Sequence, residues 1–168
     1  MRVFRAGNIK PRTTRPILLR LATEMRRQRC PALELSDRHG ALSNGAISRW
    51  LCDRTSPPLA DLADVFSILG LRLDLVRRAP PAIPPSPRFT PHAIPPHAHP
   101  LVRRFYAELN RTGIAAADVA DAAGLSRQTL VTWKISRAPL LVTFERALTP
   151  LGLAIVAFAQ AESRRAAA

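Results

Sequence analysis

The chain has 168 residues, which is enough for one domain or two small ones. Apolar residues make up 47% of the sequence, so a packed core is expected and a wholly disordered chain is excluded. The 25 basic residues exceed the 12 acidic ones and give a net charge of +13. This excess indicates a polyanionic partner, with nucleic acid as the first candidate and a membrane surface as the second. The alternative is that the charge only keeps the protein soluble.

The sequence lacks the features of a membrane-bound or secreted protein. No apolar run reaches the roughly 18 to 20 residues that a membrane helix needs, and no apolar stretch with a cleavage site follows the basic N-terminus. Cys30 and Cys52 are too few for a disulfide framework, and no Cys/His spacing resembles a metal site. We therefore expect a cytoplasmic protein without a metal, a cofactor or a membrane partner.

Residues 1–15 are predicted to form a basic N-terminal arm. They contain five basic residues, no acidic residue and no apolar periodicity. Such a run is typical of a segment that orders on a phosphate backbone, and a solubilising tail is the equal alternative.

Two later segments, 16–78 and 100–160, follow one plan, which indicates an internal repeat. Each opens with a first helix whose apolar residues recur at helical spacing. Those residues are Ile17, Leu18, Leu21 and Met25 in the first copy and Leu101, Val102, Phe105, Tyr106 and Leu109 in the second. A short second helix follows and is predicted to end at Gly40 or Gly124, because glycine tolerates the left-handed conformation that closes a helix.

A third helix is predicted to start after Ser43 and after Ser126, since serine is a favourable N-cap. A proline-led fourth helix then runs into a Leu-Gly-Leu sequence in both copies, and Pro150 is expected to end or kink the second of these helices. The apolar stripes of the fourth helices are Leu59, Leu62, Phe66 and Leu69, and Leu141, Phe144, Leu148 and Leu151.

A strand-like run ends each copy. Residues 71–76 alternate between apolar and polar, whereas 153–158 are continuously apolar and fit a buried strand or a last helix. We expect the two runs to pair, because neither satisfies its backbone groups alone, and the two copies then form a pseudo-dimer within one chain. Two independent units with dimerisation between chains, a homodimer, are the competing arrangement.

Residues 79–99 contain eight prolines among 21 residues, which excludes a helix or a central strand. The segment is predicted to be an extended, semi-rigid spacer, with a proline-rich docking motif as the alternative. Residues 161–168 are predicted to form a C-terminal tail.

The order and composition of these elements resemble the Cro/phage-repressor type of helix-turn-helix domain, also called XRE-like. The second copy carries the closer likeness, GIAAADVADAAGLSRQTLVTWKISRAP, and the first copy has one extra residue near Ala41. The matching positions of the second copy are Gly113, Ile114, Val119-Ala120, Gly124-Leu125-Ser126 and Trp133. The resemblance implies a mainly α fold of two repeated four-helix helix-turn-helix domains, each followed by a short β-strand.

The resemblance also implies a sequence-specific transcriptional regulator of double-stranded DNA, of bacterial or phage-derived origin and associated with the nucleoid. A helix fits the major groove, where Arg127 suits guanine and Gln128 suits adenine. Ser126, Lys134 and Arg137 are predicted phosphate contacts. The full candidate set is Ser43, Asn44, Gly45, Ser48, Arg49, Arg54, Ser126, Arg127, Gln128, Thr129, Thr132, Lys134 and Arg137.

Two positions depart from the family pattern. Ala32 and Ala116 stand early in the second helices, where the family commonly has a polar residue that contacts phosphate. Trp50 and Trp133 are predicted core anchors, because they lie in phase with Ile47 and Leu130.

The alternative function is an antitoxin-like or adaptor protein whose main role is to bind a protein partner. Its binding element would be the C-terminal apolar run, 153–161, or the proline-rich segment. An enzyme is not expected, because the sequence has no Gly-rich phosphate loop and no nucleophile–base signature, so no catalytic residue is predicted.

Overall fold

The computed structural model describes residues 11–135 and 138–160, and these form eight α-helices and two β-strands. The predicted mainly helical class with short strands is confirmed, and four helices followed by one strand occur twice along the chain. The helices are α1 (Pro16–Arg27), α2 (Ala32–His39), α3 (Asn44–Leu51), α4 (Leu59–Ile68), α5 (Pro100–Thr112), α6 (Ala116–Ala123), α7 (Arg127–Ile135) and α8 (Leu141–Leu148). The strands are β1 (Leu71–Arg77) and β2 (Leu153–Ala159).

The chain divides into two compact units. Of the described residues, unit 1 comprises 11–57, 61–72 and 159–160, and unit 2 comprises 58–60, 73–135 and 138–158. Packing therefore groups most of β1 and all of the proline-rich residues 79–99 with unit 2, whereas the sequence pattern places a boundary after residue 78.

The core of unit 1 consists of the apolar faces predicted from helical spacing. The stripe of α1 is buried, and Leu35 of α2 and Ile47 of α3 are fully enclosed. Trp50 is buried as predicted, so this indole is a packing anchor. Proline is favoured in the first turn of α1 because its missing N–H has no partner there in any helix.

The core of unit 2 is built on an aromatic cluster. The ring of Trp133 lies 6.0 Å from the ring of Phe105 and 5.6 Å from that of Phe144, in edge-to-face geometry. The hydroxyl of Tyr106 donates a hydrogen bond of 2.8 Å to the carbonyl of Leu130, and burial raises the pKa of this phenol. These contacts fix one face of α7 against α5 and α8.

The two strands pair as predicted, so residues 153–158 are strand and not a last helix. They run antiparallel, because the N–H groups of Arg78 and Ala79, at the end of β1, donate to the carbonyl of Gly152, at the start of β2. Gly152 has φ +64°, and a Cβ there would collide with the carbonyl oxygen of Ala79. Pro150 also acts as predicted, since α8 ends at Leu148 and a 3-10 turn follows.

Buried carboxylates recur at the same place in both units. Glu24 is 2% exposed and accepts hydrogen bonds or ion pairs from Arg20 and Arg27, at 2.8 and 2.7 Å. Glu108 is 9% exposed and is held by Arg111 in the same way, at 2.9 Å. Burial by itself raises the pKa of each carboxyl, but the arginines outweigh it, so both pKa values lie below the ordinary range.

We predict that Leu130→Ala lowers the free energy of unfolding by about 2 to 5 kcal/mol, because it opens a cavity beneath α7. The neighbouring Val131→Ala serves as the control, since Leu130 is 1% exposed and Val131 is 44% exposed. Urea unfolding of both variants measures the difference. Equal losses would show that α7 does not bury the face described.

Candidate nucleic-acid interface

The predicted residues of α3 lie outside its buried face, which Ile47, Trp50 and Leu51 form. Ser43 caps the helix, because its Oγ accepts the N–H of Ala46 at 3.2 Å. Asn44 and Arg49 are exposed, whereas Ile47 is completely buried. The helix therefore presents polar side chains to solvent in its first two turns.

Contacts within α3 determine how far the side chains of its exposed face extend into solvent. A Cβ placed on Gly45 would lie 3.5 Å from Nη1 of Arg49, so the guanidinium folds back along the helix above this glycine. The hydroxyl of Ser48 donates to the carbonyl of Asn44 at 3.0 Å. Arg54, beyond the helix, is exposed. Asn44, Arg49 and Arg54 are thus the side chains of this predicted set that are best placed to reach a ligand.

The last residues of the predicted arm are fixed at the carboxyl end of α3. The N–H groups of Arg12 and Thr13 donate to the carbonyl of Leu51 at 2.9 and 3.2 Å. The buried hydroxyl of Thr13 donates to Asp53 at 2.9 Å, and Asp53 has φ +54°. The sequence pattern did not predict this attachment. Residues 1–10, the rest of the arm, lie outside the described residues.

In unit 2 a rigid turn joins α6 to α7. Gly124 has φ +62° and closes α6 as predicted. The guanidinium of Arg146, in α8, donates to the carbonyls of Ala123 and Gly124 at 2.8 and 3.0 Å, which satisfies the carboxyl end of α6. Ser126 then caps α7 by accepting the N–H of Thr129 at 3.1 Å.

The exposed face of α7 begins with Arg127 and Gln128. The side chain of Arg127 is 69% exposed and pairs with Asp121 of α6 at 3.0 Å. Thr132 donates its hydroxyl to the carbonyl of Gln128 at 2.8 Å, and the hydroxyl of Thr129 is 2.7 Å from that of Ser126. Both threonines are half-buried. Arg127 and Gln128 therefore reach furthest into solvent among the predicted residues of this helix.

The sequence interpretation missed two apolar residues on the same face. Val131 and Ile135 are exposed, the latter by 67%. The available clue was position, since Val131 is four residues after Arg127 and out of phase with Leu130 and Trp133. Apolar side chains at such places suit a thymine methyl group or an apolar partner surface.

Lys134, a predicted phosphate contact, packs against an aromatic ring of unit 2. Its ammonium lies 4.2 Å from the centre of the Tyr106 ring, and burial lowers its pKa. The side chain is thus directed toward its own unit. Arg137, the other predicted phosphate contact here, lies outside the described residues.

The proline-rich segment has no helix or strand, as its prolines require, but it is bound to unit 2 along its length. Asn110 of α5 holds the backbone of His92 on both sides, accepting its N–H at 2.7 Å and donating to its carbonyl at 3.0 Å. Ser86 donates its N–H to Gly113 at 2.8 Å. Within unit 2 the segment is therefore an anchored strap and not a free spacer.

This strap also occupies the amino end of α6. The N–H of Ala115 donates to Oγ of Ser86 at 2.7 Å, and the N–H of Ala116 donates to Nε2 of His92 at 3.3 Å. No side chain within α6's own turn caps this helix, so the strap supplies the missing acceptors. The amino end of α6, where Ala116 departs from the family pattern, is thus occupied by groups of the chain itself.

The surroundings of the His92 imidazole lower its pKa and so favour the neutral ring. Burial lowers its pKa first, and the positive charge of Lys134 lowers it further. The ring lies edge-on to Phe89 and Tyr106, at 5.8 and 5.4 Å between ring centres. A proton on Nε2 would remove the acceptor that Ala116 uses.

Within the described ranges no group of three or more His, Cys, Asp or Glu side chains is placed to hold a metal ion. No helix there is long and apolar enough to cross a membrane. Comparison of the chain with protein-family models, with curated proteins and with solved structures finds no match. The helix-turn-helix class therefore stays a prediction after the fold is known.

We predict that the strap makes unit 2 sensitive to mild acid. Because the pKa of His92 is lower in the folded chain than the ordinary value of about 6.5, the unfolded chain binds the proton first as the pH falls. The stabilisation is present above that value and is lost as the pH decreases toward the folded pKa. Urea unfolding between about pH 7.5 and 5 measures this loss. Most carboxylates titrate below this pH range, so the change in stability within it is assigned to histidine.

His92→Gln is expected to flatten that pH dependence, whereas His97→Gln, at an exposed position of the same segment, is expected to leave it unchanged. A wild-type slope retained in His92→Gln would rule out His92 as its source.

Proposed function

We propose that the chain is a sequence-specific regulator that binds double-stranded DNA through two helix-turn-helix units of the Cro/phage-repressor type. The observation that carries this proposal is the exposed, polar start of α7, directly after a capped turn and opposite a fully buried face. A helix presented in this way enters a major groove with its first turns against the base edges. The net charge of +13 supports a polyanionic partner.

In unit 2, Arg127 and Gln128 are the proposed base-reading residues. A guanidinium suits the two acceptors of guanine and an amide suits adenine, and each such pair contributes about 1 to 3 kcal/mol of discrimination. Asp121 supports the orientation of Arg127, because it holds one side of the guanidinium at 3.0 Å and leaves other N–H groups exposed. The pair is exposed, so a base competes with Asp121 at small cost.

In unit 1, Asn44 and Arg49 are the corresponding proposed residues. They differ in type and spacing from Arg127 and Gln128, so we expect the two half-sites to differ in sequence. Pairing of β1 with β2 supports the hypothesis that the two copies act together as a pseudo-dimer within one chain. A homodimer of chains is the competing hypothesis, and the mass of the protein in solution, free and bound to DNA, separates the two.

The amino ends of α3 and α7 are proposed phosphate contacts. Ser43 and Ser126 each use one lone pair for the cap, and the remaining free N–H groups of the first turn suit an anion. The amino end of α6 is not proposed for this role, because Ser86 and His92 already occupy it.

An antitoxin-like or adaptor role is the second candidate function. Val131, Ile135 and Leu140 are exposed apolar residues in unit 2, and such residues favour contact with a protein. The two elements expected to make that contact serve other purposes in the fold, since 153–159 form β2 and 79–99 are bound along unit 2. DNA binding therefore has the stronger support, and we propose no catalytic role.

We predict that Arg127→Ala weakens binding to a preferred duplex by about 1 to 3 kcal/mol and relaxes the base preference at one position. Arg88→Ala is the control, since it removes the same charge from an exposed site on the strap. Fluorescence anisotropy against the preferred duplex and its single-base variants measures both effects. If the two variants lose equal affinity for the preferred duplex and for each of its single-base variants, Arg127 contributes only its positive charge and does not read a base.

A further inference from the structure

Three arginines line an open cleft in unit 2 that the proposed base-reading surface does not include. The cleft has a volume of about 500 Å³ and lies where β1 ends, the strap begins and α5 ends. Among the described residues, those that line it include Arg77, Arg78 and Arg111, with Pro80 and Pro81 beside them.

A buried carboxylate orients two of these arginines. Oε2 of Glu108 accepts Nε and Nη2 of Arg111 at 3.0 and 2.9 Å, and Nη2 of Arg77 at 2.9 Å. Nη1 of Arg77 also donates to the carbonyl of Leu151 at 3.0 Å. A guanidinium has five N–H donors, so both side chains are fixed and still retain donors for a ligand.

The charges around the cleft do not cancel. Glu108 is shared by Arg77, Arg111 and Arg104, the last at 3.8 Å, and Arg104 also lies 4.0 Å from Asp74, so two carboxylates face four arginines when Arg78 is included. Arg78 is exposed, and its guanidinium has no ion pair or hydrogen bond within the described part of the chain. The ligand that compensates this excess is an anion, and rigid, forked donors favour the tetrahedral oxygens of phosphate.

We propose that this cleft is a phosphate-binding site. Its donors match two sources of that group, a phosphate of the duplex backbone and a phosphate of a small free anion. The first source rests on the proposed function, because it makes Arg78 and Arg111 backbone contacts of the DNA-bound protein. The second does not depend on DNA binding.

The test compares Arg78→Ala with Arg103→Ala in the full-length chain. The guanidinium of Arg78 has no partner in the described part of the chain, so its removal leaves the Glu108 cluster intact. Arg103 is an exposed arginine of α5 outside the cleft. One probe is inorganic pyrophosphate, measured by calorimetry. The other is a random-sequence duplex, measured by anisotropy at several salt concentrations.

We expect Arg78→Ala to abolish pyrophosphate binding, or to reduce the salt dependence of duplex binding by about one phosphate contact, with no such change in Arg103→Ala. Arg111→Lys keeps the positive charge but loses the forked pair of donors, so it is expected to weaken binding of the same probe. Pyrophosphate binding that is lost only in Arg78→Ala supports the cleft even if the duplex does not bind, in which case the DNA proposal alone fails. Equal behaviour of Arg78→Ala and Arg103→Ala with both probes would overturn the proposal.

Discussion

The burial of one face of α7 is the constraint on which the account of unit 2 depends. Leu130 and Trp133 are enclosed, and the indole packs edge-on against the rings of both Phe105 and Phe144. With 3.6 residues per turn, these two positions determine which side chains point outward. Arg127 and Gln128 reach solvent because the helix cannot rotate without removing the aromatic cluster from the core. The same relation holds in unit 1, where Ile47 and Trp50 are buried and Asn44 and Arg49 are exposed.

A second constraint is the buried carboxylate on the first helix of each copy. Removing a carboxylate from water costs several kcal/mol unless charged donors surround it, so Glu24 and Glu108 each require their arginines. Arginines stand four residues before and three residues after each glutamate. In unit 2 the cluster gains Arg77 from β1, which connects the sheet to α5. Helices α1 and α5 therefore share an arrangement of charged side chains as well as an apolar pattern.

Helical periodicity and end residues were sufficient to predict the elements. The caps Ser43 and Ser126, the closing glycine Gly124 and the terminating Pro150 act locally, so their effects can be derived from a few neighbouring residues. The pairing of the two strands followed from the need to satisfy backbone groups. These are properties that a short stretch of sequence determines.

The positions of individual side chains could not be derived in this way. Proline content excludes a helix over 79–99, but it does not reveal that Asn110 binds the backbone of His92. Lys134 has the spacing of an outward residue, yet the face of Tyr106 attracts its ammonium. The attachment of Thr13 to Asp53 joins residues 40 positions apart, and no local pattern contains it. Such contacts depend on which elements become neighbours, so they require the folded structure.

Selection of preferred sites from a library of randomised duplexes by the full-length protein tests whether this one chain reads two different half-sites. Two different half-sites, with centres about one helical turn apart, are the result predicted for two units that read DNA from one chain. Enrichment at high salt as well as low salt would separate base reading from attraction to phosphate. No enrichment would contradict the claim that the chain reads sequence. A strictly palindromic site would contradict the claim that unlike helices of one chain read its two halves.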